Sequence, residues 1–380
     1  MILSRKRKRL LLVFLLCSSA IYIFILAPMD TGYEAADERS WVDFPVNYSH
    51  LITRFNFDVT KEIRSGDTGE RNWALGNCSL ESPESIRKDV VDLRVIVITY
   101  NRPQSLDRLL QSLNKAEYDN DNVKFEIWLD RSIYGQISKD TLTTARNFRV
   151  SYGRCSIIVH STHVGIQGQW LNTWEPSAQS REMAVILEDD LTVSPFFYKY
   201  LKLVHNKYDS RRDVSGFSLQ GTSLRHSDGH CCLNVATENK VFLYPTLGTT
   251  GFSPKRDSWF MFKSWLNHIT SNGQRPPLIK DHVAVTWYED LRRLGHEESM
   301  WEMGYLYYTR MQGEYTLYPN FKDHQGLTVN WFEVGLHNKG KMEEDSNGKP
   351  ENGLLRSWNP QYDQLPDEPI YVNNNGDVIS

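Results

Sequence analysis

The segment from residue 93 to 113 constrains the fold most, because a continuous apolar run leads directly into an amphipathic helix. Residues 95–99 read VIVIT, and an uninterrupted apolar run is typical of a strand buried on both faces of a parallel sheet. Pro103 follows, and proline is tolerated in the first turn of a helix. Beyond it, leucines recur at the spacing of one helix face: Leu106, Leu109, Leu110 and Leu113. The sequence therefore predicts a strand, a turn and a helix that packs on a sheet.

Strands and helices alternate after this unit. Three further strands are predicted, over residues 123–129, 155–161 and 183–190. One helix is expected around residues 167–173, and another after the last strand, with Ser194 as its cap and Pro195 as its first residue. This alternation indicates an α/β fold with a mostly parallel central sheet, in one domain over residues 91–340.

The N-terminus has the pattern of a membrane anchor. Residues 5–9 read RKRKR, and residues 10–28 contain no charged side chain, a length near the lower end of the roughly 17–25 residues that a membrane-spanning helix needs. A cleaved signal peptide is the alternative, with Ser-Ser-Ala at residues 18–20 as the cleavage site. The apolar run resumes at residues 21–26, however, and is too long for an ordinary signal peptide. Because basic residues stay cytoplasmic, we expect an uncleaved signal anchor with type II topology.

This topology divides the chain into a cytoplasmic tail at residues 1–9, the anchor at 10–28, a lumenal stem at 29–90, the globular domain at 91–340 and a polar C-terminal tail at 341–380. The last segment is rich in Asn, Gly and Pro, which predicts a loosely ordered tail. The whole chain has a formal net charge of −4, and the basic run contributes +5, so the rest carries −9. A nucleic-acid-binding protein shows the opposite balance, and we exclude nucleic acid as a partner.

Sequons and cysteines agree with a lumenal domain. Asn47 and Asn77 each begin an Asn-X-Ser acceptor site for N-glycosylation. Besides Cys17 in the apolar run, the chain has four cysteines: Cys78, Cys155, Cys231 and Cys232. In an oxidising compartment they can form one or two disulfides, and the sequence does not choose the pairing. A free buried thiol is an almost equal alternative for Cys155.

Polar side chains stand where the predicted strands end. The carboxyl ends of parallel strands meet at one edge of the sheet, which is where ligands bind in α/β folds. The residues placed there are Thr99, Tyr100, Asn101, Arg102, Asp130, Arg131, His163, Glu188, Asp189 and Asp190. Taken singly, Arg102 and Asp130 can form a surface ion pair, and His163 can be a solvated loop residue. Together these residues predict a polar crevice of mixed charge.

The acidic triplet at residues 188–190 is the sharpest of these features, because three carboxylates after an apolar run repel one another unless a positive charge is present. On an extended backbone, Glu188 and Asp190 project to one side and Asp189 to the other. Two carboxylates that face the crevice are suitable ligands for Mg²⁺ or Mn²⁺. The alternative is that the acids are only solvated at a strand end. The sequence favours a divalent cation.

Two segments together resemble glycosyltransferases of the GT-A fold. Residues 95–113, VIVITYNRPQSLDRLLQSL, are similar to family 2 enzymes. Residues 185–201, VILEDDLTVSPFFYKYL, are similar to the Glu-Asp-Asp-Leu segment of the N-acetylglucosaminyltransferase I family, family 13. The resemblance covers residues 93–339. It implies a Rossmann-like GT-A domain, a UDP-sugar donor, Mn²⁺ or Mg²⁺ as cofactor, a glycan or glycoprotein acceptor, and a location in the Golgi lumen.

The resemblance also implies roles for individual residues. Contacts to the base and ribose of the nucleotide are implied for Thr99, Tyr100 and Arg102, and contact to the uracil for Asp130. Contacts to the donor are also implied for His163, Glu188 and Asp189. Asp190 would be the direct metal ligand. His324, in the segment that closes over the nucleotide in this fold, would approach the pyrophosphate or the metal. A core or solvated histidine is an equal alternative for His324.

A carboxylate at a helix start is the general base in these enzymes and takes the proton of the acceptor hydroxyl. Residues 296–310, HEESMWEMGYLYYTR, predict such a helix, and Glu298 is the preferred base. Glu302, one turn later, is its competitor, and Glu289 with Asp290 is a third option. Acids in a first helical turn also suit the helix dipole, which alone can account for them.

The implied reaction is an inverting, metal-assisted sugar transfer, with GlcNAc as the favoured sugar. Gly248 and Gly251 lie in a segment similar to the loop that receives the donor sugar, where glycine permits close backbone approach. One alternative, a nucleotidyltransferase, carries a Gly-rich basic loop after its first strand, whereas residues 99–106 contain no glycine. The other alternative is a non-catalytic lumenal protein that keeps the fold and binds sugars or nucleotide sugars.

Overall fold

The computed structural model describes residues 13–17, 20–24, 76–176, 181–221, 225, 227–229, 233–280, 282–296, 299–331 and 353–379. Near the N-terminus, β1 (Val13–Cys17) and β2 (Ala20–Phe24) pair with each other. Both strands contain β-branched residues, which favour extended backbone. Within the described ranges, no helix is both long and apolar enough to cross a bilayer. The signal anchor at residues 10–28 therefore stays a prediction from the sequence.

A central sheet of eleven strands organises the described domain. Across the sheet, in order, lie β17 (Val378–Ile379), β16 (Ile370–Val372), β12 (Val241–Tyr244), β14 (Tyr315–Pro319), β11 (Val214–Ser218), β13 (Phe252–Pro254), β9 (Met183–Glu188), β5 (Leu93–Thr99), β6 (Val123–Leu129), β8 (Arg154–Val159) and β4 (Ser79–Leu80). Two smaller sheets pair β3 (Gly76–Asn77) with β7 (Arg149–Val150) and β10 (Leu191–Val193) with β15 (Thr328–Asn330). Six of the ten neighbouring pairs in the central sheet are parallel, which confirms the predicted α/β class.

The middle of the sheet consists of β9, β5, β6 and β8, all parallel. Ile96 on β5 pairs with Glu126 on β6 and with Ile186 on β9, so these strands run in register. Nearly every residue on them is buried, as expected for strands covered on both faces. The four predicted strands are confirmed, although β8 ends at Val159 and β9 ends at Glu188.

Helices cover both faces of the sheet. They are α1 (Pro83–Ile86), α2 (Pro103–Leu113), α3 (Lys139–Asn147), α4 (Gly165–Asn172), α5 (Phe197–Tyr208), α6 (Arg256–Ser271), α7 (Val283–Arg293) and α8 (Glu302–Gln312). α2 begins at Pro103 and buries the four predicted leucines. α5 begins two residues later than predicted, because the Ser194 hydroxyl has other partners. It accepts the Phe196 N–H at 3.2 Å and donates to the Leu355 carbonyl at 2.6 Å, which closes a turn before the helix.

Side chains alternate across the central strands and build two core layers. On β5, Val95 and Val97 join α2 and α5 in one layer. Ile96 and Ile98 join α4, α6 and α8 in the other layer, which is rich in tryptophan: Trp128, Trp170, Trp174, Trp259 and Trp301. Glu188 has the same parity as Ile186 on β9. The last residue of β9 therefore faces the tryptophan-rich layer.

The C-terminal residues 353–379 pack on the domain, which corrects the expectation of a loosely ordered tail. β16 pairs in parallel with β12, and β17 pairs antiparallel with β16. Leu354, Leu355 and Val372 are buried. These scattered apolar side chains are enough to attach a segment whose overall composition is polar.

One disulfide joins Cys78, between β3 and β4, to Cys155 in β8. It fixes two short strands that precede the first central strand to the edge of the sheet. Asn77, the sequon residue beside it, is exposed. Asn47, Cys231 and Cys232 lie outside the described residues, so the disulfide partner is known for Cys78 and Cys155.

The amino ends of the central strands carry a buried ion network, the amino-end network, made of Arg94, Glu126, Glu182, Trp128 and Trp174. The Arg94 guanidinium contacts Glu126 and binds Glu182 Oε2 at 2.9 Å. The Trp128 indole N–H donates to Glu126 Oε2 at 3.0 Å, and that of Trp174 donates to Glu182 Oε1 at 3.1 Å. Each carboxylate in this network thus has both a guanidinium and an indole partner.

Candidate active site

An arginine and four acidic side chains are grouped at the carboxyl edge of the sheet. We name this group the carboxyl-edge cluster: Arg102, Glu188, Asp189, Asp190 and Glu302. β9 ends at Glu188, residues 189–190 form a turn, and β10 begins at Leu191. Strand alternation therefore stops at Glu188. This corrects the expected grouping, because Asp189 joins Asp190 on Arg102 while Glu188 faces the tryptophan-rich layer.

Arg102 lies between the two aspartates. One of its nitrogens contacts Asp189, and another donates to Asp190 Oδ2 at 2.9 Å. The Thr99 hydroxyl, at the end of β5, donates to Asp189 Oδ2 at 2.6 Å. Burial works to lower the pKa of Arg102, but the charges of Asp189, Asp190 and Glu188 outweigh it and raise that pKa above its ordinary value. The positive charge that the acidic triplet requires is thus supplied within the chain.

Glu188 points away from this arginine into the tryptophan-rich layer. The Trp170 indole N–H donates to its Oε1 at 3.1 Å. Burial, and next the charge of Asp190, raise the pKa of Glu188 well above its ordinary value, and Glu302 adds to this effect. Glu188 therefore holds its proton at a pH at which a solvated glutamate is ionised.

Glu302 is the first residue of α8. The preceding residue, Trp301, stacks on Trp170 of α4 with 5.0 Å between ring centroids, and this contact brings α8 to the end of β9. Glu302 Oε2 is sealed from solvent and accepts no hydrogen bond from the described residues. Burial raises the pKa of Glu302 to about 7. A carboxyl group of this kind can accept a proton near neutral pH.

Asp130, at the end of β6, shapes the loop beside the cluster. Its Oδ1 accepts the N–H groups of Arg131 at 2.8 Å and Val164 at 2.9 Å, and its Oδ2 accepts that of Gly165 at 2.9 Å. His163 Nδ1 lies 3.0 Å from Asp130 Oδ2. Asp130 is only 3% exposed, whereas the His163 side chain is 40% exposed. Asp130 therefore fixes the start of α4, His163 is the accessible member, and their nucleotide contacts stay predictions.

Gln169 on α4 ties the strand ends together, and no periodicity or motif marked it in the sequence. Its Nε2 donates to the Thr99 carbonyl at 2.8 Å, and its Oε1 lies 2.9 Å from His160 Nε2. Burial lowers the pKa of His160, so this imidazole is neutral at pH 7. The network holds the last residue of β5, next to Arg102, in a fixed position.

The loop at residues 247–251 closes against the end of β11. A Cβ atom on Gly248 would lie 2.2 Å from Ser218 Oγ, and Gly251 has a φ of +85°, which favours glycine. The Gly251 carbonyl accepts the Leu219 N–H at 2.9 Å. The close approach that these glycines permit is thus to the protein's own side chains, and contact with a donor sugar stays a prediction.

Trp331 secures the turn that follows β9. Its backbone N–H donates to the Asp190 carbonyl at 2.8 Å, and its indole N–H donates to Thr192 Oγ1 at 2.9 Å. The Arg108 guanidinium lies 4.3 Å from its ring centroid. Trp331 is half-buried at this edge, whereas Trp301 and Trp287 belong to the core.

Two other predicted rim residues reach solvent. Tyr100 follows Thr99 directly and is 38% exposed. His324 is exposed and ends the 3₁₀ turn Lys322–His324, where its backbone has a φ of +54°. Tyr100 thus borders the cluster along the chain. The role of His324 toward a pyrophosphate or metal stays a prediction.

The candidates for the general base are separated by the structure. Glu298, the preferred candidate, lies outside the described residues. Glu289 and Asp290 form ion pairs on α7 with Arg292 at 2.7 Å and Arg293 at 2.8 Å, one turn along the same helix. Of the candidates that the structure describes, the first residue of α8 is the one that belongs to the carboxyl-edge cluster.

A divalent cation is implied by the resemblance, and the chemistry of the cluster fits one. In phosphate sites, Mg²⁺ takes one or two carboxylates and completes its shell with water and phosphate oxygens. Asp190 offers such an oxygen, now bonded to Arg102. Within the described ranges, no three His, Cys, Asp or Glu side chains are grouped so that they could hold a metal ion. The donor set suits an ion shared with a diphosphate.

The sequence matches no protein-family model and no curated protein. Among solved structures, the chain is similar to the mannosyltransferase PcManGT from Pyrobaculum calidifontis in complex with GDP-Man and Mn²⁺, at 16% identity and a TM-score of 0.36, over 66% of this chain and 59% of that one. It is also similar to residues 1–349 of TarS from S. aureus, at 15% identity and a TM-score of 0.30, over 46% of this chain and 56% of that one. The matched part is less than two thirds of either neighbour's chain.

Proposed function

We propose that the chain is a metal-dependent, inverting glycosyltransferase of the GT-A fold that moves a sugar from a UDP-sugar to a glycan or glycoprotein acceptor. The observation that carries this proposal is the carboxyl-edge cluster. Arg102 and two aspartates at the rim suit an anionic leaving group and its cation, and the carboxyl group of Glu302 suits a hydroxyl that must lose a proton. GlcNAc is the sugar that the resemblance of residues 188–191 favours.

The rim would bind and orient the donor. Asp190 would hold the Mn²⁺ or Mg²⁺ ion, which when bound neutralises the charge of the leaving diphosphate. Asp189 is held by Thr99 and Arg102, so the turn that carries Asp190 is fixed before the donor arrives. The accessible ring of His163 and the exposed Tyr100 lie at the neighbouring strand ends, where the nucleotide would be bound.

The acceptor hydroxyl would lose its proton to a carboxylate at the start of α8. Glu302 has the geometry for this role, because its Oε2 is sealed from bulk water and accepts no hydrogen bond from the described residues. Its pKa, raised by burial to about 7, makes it a stronger base than a solvated glutamate. Glu298 stays the competing candidate. One base and one leaving group are enough for inversion, and no covalent intermediate is needed.

The compartment is part of the proposal. The basic run at residues 5–9 and the uncharged run at residues 10–28 support a type II protein of the Golgi membrane with a lumenal domain. The Cys78–Cys155 disulfide supports the same orientation, since disulfides persist in oxidising compartments.

The test is release of UDP from UDP-GlcNAc, UDP-Gal and UDP-Glc by the purified chain, with MnCl₂ or with EDTA. We expect Mn²⁺-dependent turnover of at least one donor. Asp190→Ala should abolish it, whereas Asp367→Ala should retain it, because the Asp367 side chain is 96% exposed and pairs with Lys207. Turnover that survives EDTA, or that survives Asp190→Ala, would contradict the proposal.

A second candidate is a non-catalytic protein that binds nucleotide sugars. The observation that favours it is that the Arg102 guanidinium pairs with both aspartates and neutralises them. This candidate predicts calorimetric binding of a UDP-sugar that EDTA does not change, and no release of UDP with any donor. The two candidates therefore differ in one experiment.

A further inference from the structure

We propose that Arg102 is a displaceable counter-cation that couples metal binding to donor binding, a role that rests on the proposed function. In the nucleotide-free chain its guanidinium neutralises Asp189 and Asp190. On binding of the nucleotide and the ion together, it leaves the aspartates and binds the diphosphate. This differs from the contact to base and ribose that the resemblance implies for Arg102.

Arg102 and a metal ion would compete for the carboxylate of Asp190. Asp190 Oδ2 already accepts a guanidinium N–H at 2.9 Å. A dication bonded directly to this carboxylate would lie within a few ångströms of the guanidinium, and like charges at that distance repel strongly. Arg102 therefore has to move before Asp190 can act as a metal ligand.

Arg102, and not the aspartates, is able to move. Its side chain is 25% exposed, whereas those of Asp189 and Asp190 are 2% and 8% exposed. The aspartate side is fixed as well, since Asp189 accepts the Thr99 hydroxyl and the Asp190 carbonyl accepts the Trp331 N–H. Arg102 precedes α2 with a φ of −116° and a ψ of 73°, and its side chain makes no capping hydrogen bond to that helix. Among the described residues, rotation of the side chain toward solvent thus breaks only its bonds to the aspartates.

The released guanidinium would bind the donor diphosphate. A planar guanidinium matches phosphate oxygens in paired hydrogen bonds. The donor diphosphate carries the negative charge that replaces the aspartates, and Asp190 is then available to the ion. An ion without a nucleotide leaves Arg102 with no new partner. Each ligand therefore assists the other, and this coupling is reciprocal, typically about 5- to 150-fold.

The experiment is calorimetric titration of the full chain with MnCl₂ alone and with MnCl₂ in saturating UDP, with UDP titrated in the reverse order. In the wild type we expect UDP to tighten Mn²⁺ binding by at least about tenfold, and Mn²⁺ to tighten UDP binding by the same factor. Arg102→Met should bind Mn²⁺ alone more tightly than the wild type, because the guanidinium no longer competes for Asp190. In that variant UDP should no longer tighten Mn²⁺ binding by this factor.

A matched control separates this role from a general loss of positive charge. Arg131 lies at the same edge, and its guanidinium donates to the carbonyls of His160 at 2.5 Å and Gly135 at 2.9 Å. Arg131→Met should leave the affinity for Mn²⁺ alone unchanged. An equal gain in Arg131→Met and Arg102→Met would overturn the proposal.

Thermal unfolding keeps the test decisive if Arg102→Met is unstable. The proposal expects MnCl₂ to raise the Tm of Arg102→Met more than that of the wild type, since the ion takes the place of the guanidinium. An equal rise in Tm in both proteins would contradict the proposal. If the wild type binds Mn²⁺ equally tightly with and without UDP, the coupling is rejected and the proposed function still stands. No Mn²⁺ binding to the wild type under any condition would reject both.

Discussion

The two ends of the central sheet carry similar groups in different arrangements. At the amino ends, Arg94 binds both of its glutamates, and each glutamate also receives an indole N–H. At the carboxyl ends, Arg102 binds the two aspartates, while two further carboxyl groups lie deeper. Burial raises the pKa of both deeper groups, Glu188 and Glu302. The first arrangement pairs each acid with an arginine and an indole. In the second, one carboxyl oxygen of Glu302 accepts no hydrogen bond from the described residues.

The difference separates a structural ion network from a reactive one. Buried charges that are paired and hydrogen-bonded on all sides hold strands together and have no capacity for a ligand. Burial raises the pKa of Glu126 in the amino-end network as well, so the contrast between the two ends lies in hydrogen bonding and not in the direction of the pKa shift. Both ends belong to the same sheet, but Asp189 and Asp190 lie in the turn after β9 and Arg102 precedes α2, so the backbone at the carboxyl edge contributes to the contrast.

The largest expected effect is on turnover. Glu302→Gln keeps the shape of the side chain but removes the proton acceptor, and loss of a general base costs roughly 10²- to 10⁴-fold in kcat. The matched control is Glu314→Gln, because burial also raises the pKa of Glu314 to about 7 and Ser258 donates to its Oε2 at 2.6 Å. Glu314→Gln should keep wild-type kcat in the UDP-release assay.

Glu298→Gln completes this comparison. If it loses turnover while Glu302→Gln does not, the base lies one turn earlier than we infer. If neither variant changes kcat, the start of α8 is not catalytic, and Glu289 and Asp290 become the candidates.

The second effect is on stability. Arg94→Met leaves two glutamates buried without their cation, and breaking a buried ion pair costs about 3–5 kcal/mol in the free energy of unfolding. Arg102→Met should cost less than Arg94→Met, since the Arg102 side chain is 25% exposed and that of Arg94 is 5% exposed, so solvent screens the ion pairs of Arg102 more. Urea denaturation measures both. Equal losses would mean that the two ends of the sheet are equally structural.

The third effect compares the two tryptophan donors, Trp170 on Glu188 and Trp174 on Glu182, both at 3.1 Å. Replacing either by Phe leaves a buried carboxyl group without its indole donor and should cost about 1–3 kcal/mol in stability. Only Trp170→Phe should also lower kcat, because it alone lies at the carboxyl-edge cluster. A loss of turnover in Trp174→Phe at equal stability would remove the distinction between the two ends.

The last effect is a pH dependence. The pKa of Glu314 is raised by burial from 4.5 in the unfolded chain to about 7 in the fold. Between these values the folded chain holds a proton that the unfolded chain releases, so stability falls as pH rises from about 4.5 to 7. The slope is at most about 1.4 kcal/mol per pH unit. Glu314→Gln should flatten this part of the profile in urea denaturation at pH 5 and pH 8, and an unchanged slope would contradict the assignment.

The sequence predicted what depends on local periodicity. The apolar run at residues 95–99 and the leucine face after Pro103 define β5 and α2 by themselves, and the strand-end rule brought Arg102 to the same edge as the acids. Alternation failed after Glu188, because the backbone leaves the strand there and forms a turn. Parity along a strand holds only while the strand continues.

Partners distant in the chain were beyond sequence reasoning. Arg102 meets Asp190 across 88 positions, and the Ser194 hydroxyl meets Leu355 across 161 positions. Nothing local distinguishes Asp190 from Asp130 as the partner of that arginine. The same limit hid the burial of Glu302, which depends on the contact between Trp170 and Trp301.

The pairing of β16 with β12 predicts how a C-terminally truncated variant of this protein would behave. β12 has β14 on one side and β16 on the other. A chain that ended before residue 370 would leave one side of β12 with unpaired N–H and C=O groups. An uncovered edge strand recruits other strands and promotes aggregation. Poor solubility of such a truncated protein would therefore report a lost protective strand and not a lost catalytic group.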